Sequence, residues 1–568
     1  MKKKIKIILL LAIVTSSLVL ISTNIFSSSA KSSRRGIIVE DKRYREVTLI
    51  ESTPLRGCNG LIFDKDGALY VCQTSANTIS KISLRGWRSP RVENFVGPYH
   101  GVYCPDDITV DDEGNFYATS AITGEVYKID SKGMKTVIAR GLSGPNGISY
   151  DEETGRLFMT ECFWGNRVWE LDPNGELPPT LVTADLAVPE GFDIRDNKLI
   201  IPDFGTWRIV EVDMDTGVVT DLTTTGIITP IALKIGPDGY IYTAELATGA
   251  VKRVSPDGMI IETVATLLPG LDNLAFGPDG NLYVSSYHDC TIWKIDPDSG
   301  VYSTLFPMGI NSAASIVVKD ENIYLCDSIM IRRMDEEGNL YKTWANAWLS
   351  TTGFNLPITM TNGLGENLFT ADFIDGVVVN VNPNIAEDWN YVAYSLSGPA
   401  GMELDEENLM LYVAEYGAGQ VIGVNLTSGE KVVMAEDLAG PVDLVIKDGV
   451  IYVAETLAGR ITKIDIKSGF KEVFLSGYTG KPKGLAWDYK GNLLIVDTSM
   501  RKLIKVNMEN LCISIIASNL PLEHTTYYHH PLIWDATSAI TVNEDGDIYM
   551  IGSDGSVFKF EYRGKYCN

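Results

Sequence analysis

The chain has 568 residues, of which 45% are hydrophobic, 21% charged and 9% aromatic, a make-up that excludes disorder for the bulk of it. Its formal net charge of −25, from 48 Lys and Arg against 73 Asp and Glu, speaks against a nucleic-acid backbone as partner and leaves cations, metals and neutral small molecules open. Length alone predicts three or four domains at roughly 150 residues each, but an internal repeat overrides that count.

The chain opens with four lysines and no acid between Met1 and Lys6. An apolar run from Ile7 to Ile21 follows, broken by Thr15, Ser16 and Ser17, and then Ser28, Ser29 and Ala30 set small residues before a cut at Lys31. This three-part pattern predicts that residues 1–30 are a secretory signal and that the protein is secreted or extracytoplasmic. The rival is an uncleaved anchor, the one route to a membrane, but the run is short of the roughly 20 residues a spanning helix needs. Eight cysteines (58, 72, 104, 162, 290, 326, 512 and 567) show no CxxC or zinc spacing. Several lie inside strand patterns, as in Val71-Cys72 and Leu325-Cys326, which reads as buried thiol.

From residue 46 onward one unit recurs. A Pro- or Gly-bearing turn leads to a polar and a small residue and a short apolar strand. Asp/Gly turn residues, a second strand ending in an acid, a Gly-containing turn and a third strand follow. Gly144-Pro145-Asn146-Gly147 through Glu161 to Asp172 is one copy, and Leu271-Asp272-Asn273 through Val284 opens another. The residue that opens the first strand marks the phase: Asn59, Asp106, Asn146, Glu190, Ile231, Asp272, Ala314, Ile358, Ala400, Val442, Lys483 and Ser538. Twelve four-stranded copies of about 40–45 residues predict an all-β protein of two tandem six-bladed β-propellers, one over 38–298 and an accessory one over 299–568. A seven-plus-five split would strand an unusually small ring. The lone strand Glu46–Ile50 is expected to close the sixth blade. Val301–Leu305 would then close the second ring, with the boundary near Asp298–Gly300.

Repetition supplies an internal control, because a feature shared by both rings is scaffold. The acid ending the second strand recurs as Glu161, Asp203, Glu245, Asp327, Asp372, Glu415, Glu455 and Asp497. It is expected to accept N–H bonds of the turn that follows it. The phase position differs between rings. The first gathers Asn59, Asp106, Asn146, Glu190 and Asp272 at the channel mouth, and the second gathers mostly Ala, Ile and Val. Carboxylates and amides crowded together repel unless a cation or protons neutralise them, so the set predicts a hard divalent metal, Ca2+ first. The plainer reading is a hydrated polar channel with raised carboxyl pKa values.

Turns on the same face add Trp164, Trp207, Tyr287 and His288 as walls of a substrate pocket, or as ordinary blade-edge packing. His100 precedes the Asp106 strand as a proton carrier or a solvated loop residue. The longer last step holds an insertion, Glu523 to His530, with three of the five histidines, read as a linker over the second mouth. No GxSxG elbow, phosphate loop, HExxH or dinucleotide fingerprint occurs.

At Gly144-Pro145-Asn146-Gly147 and Val188-Pro189-Glu190-Gly191 the repeat resembles the gluconolactonase/regucalcin-like (senescence marker protein) six-bladed propellers. More loosely it resembles NHL-repeat and streptogramin-lyase-like propellers. The resemblance spans nearly all of 46–561 as a repeat style. It implies a divalent cation at the channel mouth, with Asn146 matching the family's P-N-G ligand and Glu190 standing in its P-D-G slot. The family's E-G-P glutamate has no counterpart, since the first blade reads Cys58-Asn59-Gly60, so Asp106 or Asp272 must supply that charge.

Two readings follow. In the first, a metal-dependent hydrolase acts on a lactone or related ester, with Glu190 or Asp106 activating water. In the second, an exported scaffold uses the first mouth to bind a ligand or an extracellular protein without turnover.

Overall fold

A computed structural model describes residues 36–564 apart from 85–89, 163, 328–329, 347–356, 386–387 and 523–539, with backbone alone for 341–346. The signal segment, Phe163, the histidine-bearing insertion, Ser538 and Cys567 therefore lie outside the described residues. Strands dominate, with one 3-10 turn at Pro98–His100 and no α-helix among the described residues. No described helix is long and apolar enough to cross a membrane.

The described strands form twelve sheets of four strands, one of them extended to five, an arrangement consistent with propeller blades. Within a sheet strands pair antiparallel with the next in sequence, as the short Gly-bearing turns require, apart from the N-terminal strands Ile38–Val39 and Tyr44–Ile50. In the Pro278-Asp279-Gly280 turn, Gly280 takes φ 78°, a left-handed conformation that costs a side-chain-bearing residue. The first strands pack side by side in chain order: Cys58–Phe63, Ile108–Val110, Pro145–Tyr150, Asp193–Arg195, Pro230–Ile235 and Leu271–Phe276, the last returning to Cys58–Phe63. The next six run Ala313–Lys319, Pro357–Asn362, Pro399–Asp405, Pro441–Lys447, Pro482–Trp487 and Ile540–Val542, which packs back on Ala313–Lys319.

Burial follows strand position. Second strands such as Phe116–Ser120 and Leu157–Glu161 are buried along their whole length, because each lies between two neighbouring sheets. Fourth strands such as Lys431–Ala435 are largely exposed edges. The core is the set of apolar layers between sheets. Tyr70, Phe95 and Phe116 form one such layer between the first two sheets, with ring centroids 4.3–5.5 Å apart. Each large side chain buried this way contributes about 1.5–3 kcal/mol. Inner strands are also stapled across sheets. Asp107 accepts the N–H of Ile108 (2.8 Å) and of Ile148 in the next sheet (3.1 Å). Asp193 does the same for Ile194 and Ile235, and Asp443 for Leu444 and Leu485. The device occurs in both groups and is scaffold.

The expected closure by Glu46–Ile50 is corrected. Tyr44–Ile50 pairs with Val557–Tyr562 as the outer strand of the twelfth sheet, in register Tyr44↔Tyr562 to Ile50↔Val557. Tyr302–Thr304 completes the sixth sheet on Thr291–Ile295 rather than serving the second group. The reason is local: the sixth sheet receives its fourth strand from the chain immediately after its third, whereas the twelfth supplies only three strands and leaves an open edge. Ile38–Val39 adds a fifth strand to the eleventh sheet. Residues 38–50 thus belong with the C-terminal sheets, and the chain of the first six runs unbroken from Cys58 to Thr304.

The strand-ending acids are buried scaffold, but their donors are mostly elsewhere than expected. Glu161 accepts the N–H of Ser143, Asp203 those of Ala187 and Val188, Glu415 that of Ser397 and Glu455 that of Ala439. These donors sit in the turn leading into the same sheet's first strand. Asp372 accepts from the following turn, at Ile374 and Asp375. Asp497 serves both sides, taking Gly480 and Lys481 as well as Met500. The seven described cysteines are unpaired thiols, five of them buried.

Candidate functional site

The mouth residues owe their position to an irregularity at the head of each inner strand. Pairing jumps from Cys58↔Gln73 to Leu61↔Val71, from Pro145↔Glu161 to Ile148↔Met159, and from Leu271↔Ser286 to Leu274↔Val284. Two residues per strand fall out of the ladder in these bulges, which re-aim side chains. The first of each pair is Asn59, Asn146 or Asp272. Asp106 and Glu190 hold the same position in the second and fourth sheets, Glu190 just past the isolated Pro189↔Asp203 bridge.

The structure brings Asn59, Asp106, Glu190 and Asp272 into electrostatic or hydrogen-bond contact. Asn59 Nδ2 donates to Asp106 Oδ1 at 2.8 Å. The other Asp106 oxygen, Oδ2, is buried without a partner, and so is Glu190 Oε1. Burial pushes the Asp106 carboxyl up to about 7, with Asp107 adding repulsion and the Asn59 bond opposing it. Burial also raises Glu190 well above the usual carboxylate range, followed by repulsion from Asp106, Asp272 and Asp107. Asp272 rises for the same reasons, burial first and then Asp106 and Asp107. Asn146 stands beside this set, with Nδ2 donating to the Cys162 sulfur at 3.3 Å, and the Cys162 thiol in turn feels Glu190 and Asp106.

A second polar layer lies one residue deeper. Asn273 Nδ2 reaches across the group to Asp107 Oδ1 at 2.9 Å. The first, third and fourth sheets carry Gly60, Gly147 and Gly191 at this position. A Cβ on Gly60 would stand 2.5 Å from Asp107, and one on Gly147 2.7 Å from the Glu190 carbonyl oxygen. Asp107 and Asn273 are additions to the residues expected from the sequence. Their signal was the doubled polar pair, Asp106-Asp107 and Asp272-Asn273, where the first, third and fourth repeats read polar-Gly.

The proposed walls divide. Trp164 and Trp207 are 70% and 50% exposed, in turns that open on the mouth side. Trp207 has φ 55° at a turn position filled elsewhere by Asn77, Gly124, Asn166 and Gly249, so a bulky residue occupies a left-handed slot. Tyr287 is half-buried, its ring edge-on to His288. His288 does not line an open pocket. It is 2% exposed, and burial, with Arg332 nearby, lowers it to about 3, so it stays neutral. His100 is exposed at the end of the 3-10 turn, with Nδ1 accepting the Gly97 N–H at 3.2 Å.

The donor set at the mouth fits a hard cation. It offers two orphaned carboxylate oxygens, and the amide nitrogens of Asn59 and Asn146 are already engaged, leaving their oxygens to offer. Among the described residues no three His, Cys, Asp or Glu side chains converge as a metal cluster, so a cation here depends on the Asn oxygens as well as on carboxylates.

No family model matches the chain. The lactonase drp35 of Staphylococcus epidermidis, in two strains, is 30% identical over 106 residues, which is 17% of this chain and 32% of that protein. The chain therefore matches about a third of the length of these curated relatives. A lactonase is among the propeller enzymes that the repeat resembles. Among solved structures, virginiamycin B lyase from Staphylococcus aureus aligns at 18% identity and TM-score 0.37, over 50% of this chain and 95% of the lyase. A candidate gluconolactonase from a structural-genomics consortium aligns at 17% identity and TM-score 0.36, over 48% and 95%.

Proposed function

We propose that the twelve sheets make two six-bladed rings, and that the acidic mouth of the first hydrolyses a lactone or related ester with a divalent cation, Ca2+ by preference. The observation that carries this reading is the pair of buried, unpartnered oxygens, Asp106 Oδ2 and Glu190 Oε1, on carboxyls whose pKa values burial raises, with Asp106 adding to the rise at Glu190. Desolvated polar atoms without partners are costly, and persist where a ligand completes them. A cation held there supplies Lewis-acid polarisation of the substrate carbonyl and offsets the carboxylate repulsion.

The chain's own groups do the rest. Asp106, poised at about 7, changes protonation across the neutral range, as a general base must. It takes a proton from the attacking water as the oxygen adds to the carbonyl carbon, and returns it to the alkoxide that leaves when the ring C–O bond breaks. Glu190 carries the second unpartnered oxygen and helps hold the cation. Asn59 keeps the other Asp106 oxygen occupied, fixing which oxygen faces the water. Trp164 and Trp207 offer apolar flanks for the body of the substrate.

The test uses the full chain from residue 36, with heat unfolding in Ca2+ and in chelator and hydrolysis of a lactone panel. A cation that binds the folded state raises the melting temperature by mass action. Glu190→Gln is expected to abolish that rise and lower kcat. If the variant weakens ligand affinity while no lactone turns over in the wild type, the mouth binds without catalysis. If no divalent ion shifts the wild type, the metal-hydrolase reading falls.

A further inference from the structure

We propose that Arg332, contributed by the second group of sheets, is a positioning residue for the acidic mouth of the first. The inference rests on the functional reading of that mouth. Arg332 lies on Met330–Met334 in the seventh sheet and is 3% exposed. In other sheets the cation that opens the third strand pairs with that sheet's own strand-ending acid, as Arg167 does with Glu161, Arg208 with Asp203 and Arg460 with Glu455. Arg332 sits two residues further along its strand and reaches out of its group. It lies 3.4 Å from its own acid, Asp327, but its strongest partners belong to the other side. Nη2 pairs with Asp289 of the sixth sheet, and Nη1 donates to the Gly309 carbonyl, between the two groups, at 2.7 Å.

From Asp289 the contacts run to the mouth. Ser286 Oγ donates to Asp289 Oδ2 (3.2 Å) and lies 3.4 Å from the Gly270 carbonyl, while the Asp289 N–H donates back to Ser286 Oγ at 3.2 Å. Beside it, the buried His288 ring fills the space that a side chain on Gly270 would need, and Gly270 has φ 102°. Gly270 is two residues before Asp272. The chain Arg332, Asp289, Ser286, Gly270 thus fixes the turn that delivers the Asp272 carboxylate. A planar guanidinium can hold Asp289 and the Gly309 carbonyl in one geometry, which an ammonium point charge cannot. The second group then does more than space or cap: it sets one arm of the first group's mouth.

The test uses the full chain with Arg332→Lys, Ser286→Ala and, as a junction control, Arg56→Ala, whose side chain bonds the Ser553 carbonyl across the same junction. Ser286→Ala keeps every charge paired and so guards against simple misfolding of the arginine variant. Three quantities are read: Ca2+ affinity by calorimetry, hydrogen exchange of amides 270–274, and melting temperature. Arg332→Lys is expected to weaken Ca2+ binding at least tenfold and Ser286→Ala about threefold, both with faster exchange at 270–274, while Arg56→Ala changes neither. A lowered melting temperature with wild-type Ca2+ affinity and wild-type exchange in both variants overturns the proposal. If the wild type itself binds no Ca2+, the reading of the mouth fails separately, and exchange alone decides whether Arg332 holds the Asp272 turn.

Discussion

The two inner circles are built on one scaffold and finished in opposite ways. In the second group, Ala314, Ile358, Ala400 and Val442 are buried in a single apolar cluster with Phe373 and Tyr416 packed against it. In the first, the same positions hold Asn59, Asp106, Asn146, Glu190 and Asp272, with two carboxylate oxygens left unpartnered. The backbone staple beneath is shared, Asp107 in one and Asp443 in the other. One side chain per repeat therefore separates a circle of buried Ala, Ile and Val, with Lys483 its charged exception, from one that holds desolvated acids together. Stability is not the reason to keep the second kind, since a largely apolar circle on the same scaffold is available in the same chain.

That contrast can be broken from either side. The largest effect expected is on turnover: Asp106→Asn removes the base and should lower kcat by about 10²–10⁴-fold in a steady-state lactone assay. Next, carrying the acid into the other circle with Val442→Asp buries an unpaired charge, and should cost about 3–5 kcal/mol in urea unfolding. Third is a pH effect. The folded-state pKa of Asp106, about 7, lies above its ordinary 3.8, so the carboxyl contributes stability below about pH 4 that is lost as pH rises to about 7. In chelator, the stability of wild type relative to Asp106→Asn should fall across that window, and Ca2+ should remove much of the fall. A flat difference from pH 4 to 8 would mean that the acid is not desolvated.

Smaller effects sharpen the picture. Gly60→Ala places a methyl 2.5 Å from Asp107 and should destabilise by about 1–3 kcal/mol, whereas Gly365→Ala, with open space around it but φ 59°, should cost only about 1 kcal/mol. Smallest is Trp207→Gly, where relief of the left-handed tryptophan offsets lost packing. The melting curve should stay within about 0.5 kcal/mol of wild type while KM rises a few-fold.

Much of this was legible in the residues, because period, phase and the acid-rich first mouth all recur in one dimension. What escaped was set by pairing in three. Glu46–Ile50 has the pattern of an edge strand that fits any blade, and only the open edge at Val557–Tyr562 decides its place. Asp106 and Asp107 are adjacent in the irregular stretch before Ile108–Val110, which sends one to Asn59 and the other to Ile148 and Asn273. Tyr287 and His288 are likewise adjacent, and the aromatic signal could not say which was buried. The partnership of Arg332 with Asp289 spans 43 residues and two sheets, with no repeat to announce it.

The pairing of Tyr44–Ile50 with the last described strand has a mechanical meaning. Tyr44 faces Tyr562, so the chain enters and leaves this antiparallel pair at the same end, with Ile38–Val39 anchored ahead of it on the eleventh sheet. Force applied between the two ends of the described chain loads the pair's hydrogen bonds one after another, as in opening a zip, rather than all together. Under tension the short Ile38–Val39 pairing on the eleventh sheet should part first and the twelfth sheet next, both at low load, and the circle that the twelfth completes would open with it. The six sheets from Cys58 to Thr304, which borrow no strand from outside that span, lie beyond the first break and would still carry an assembled mouth.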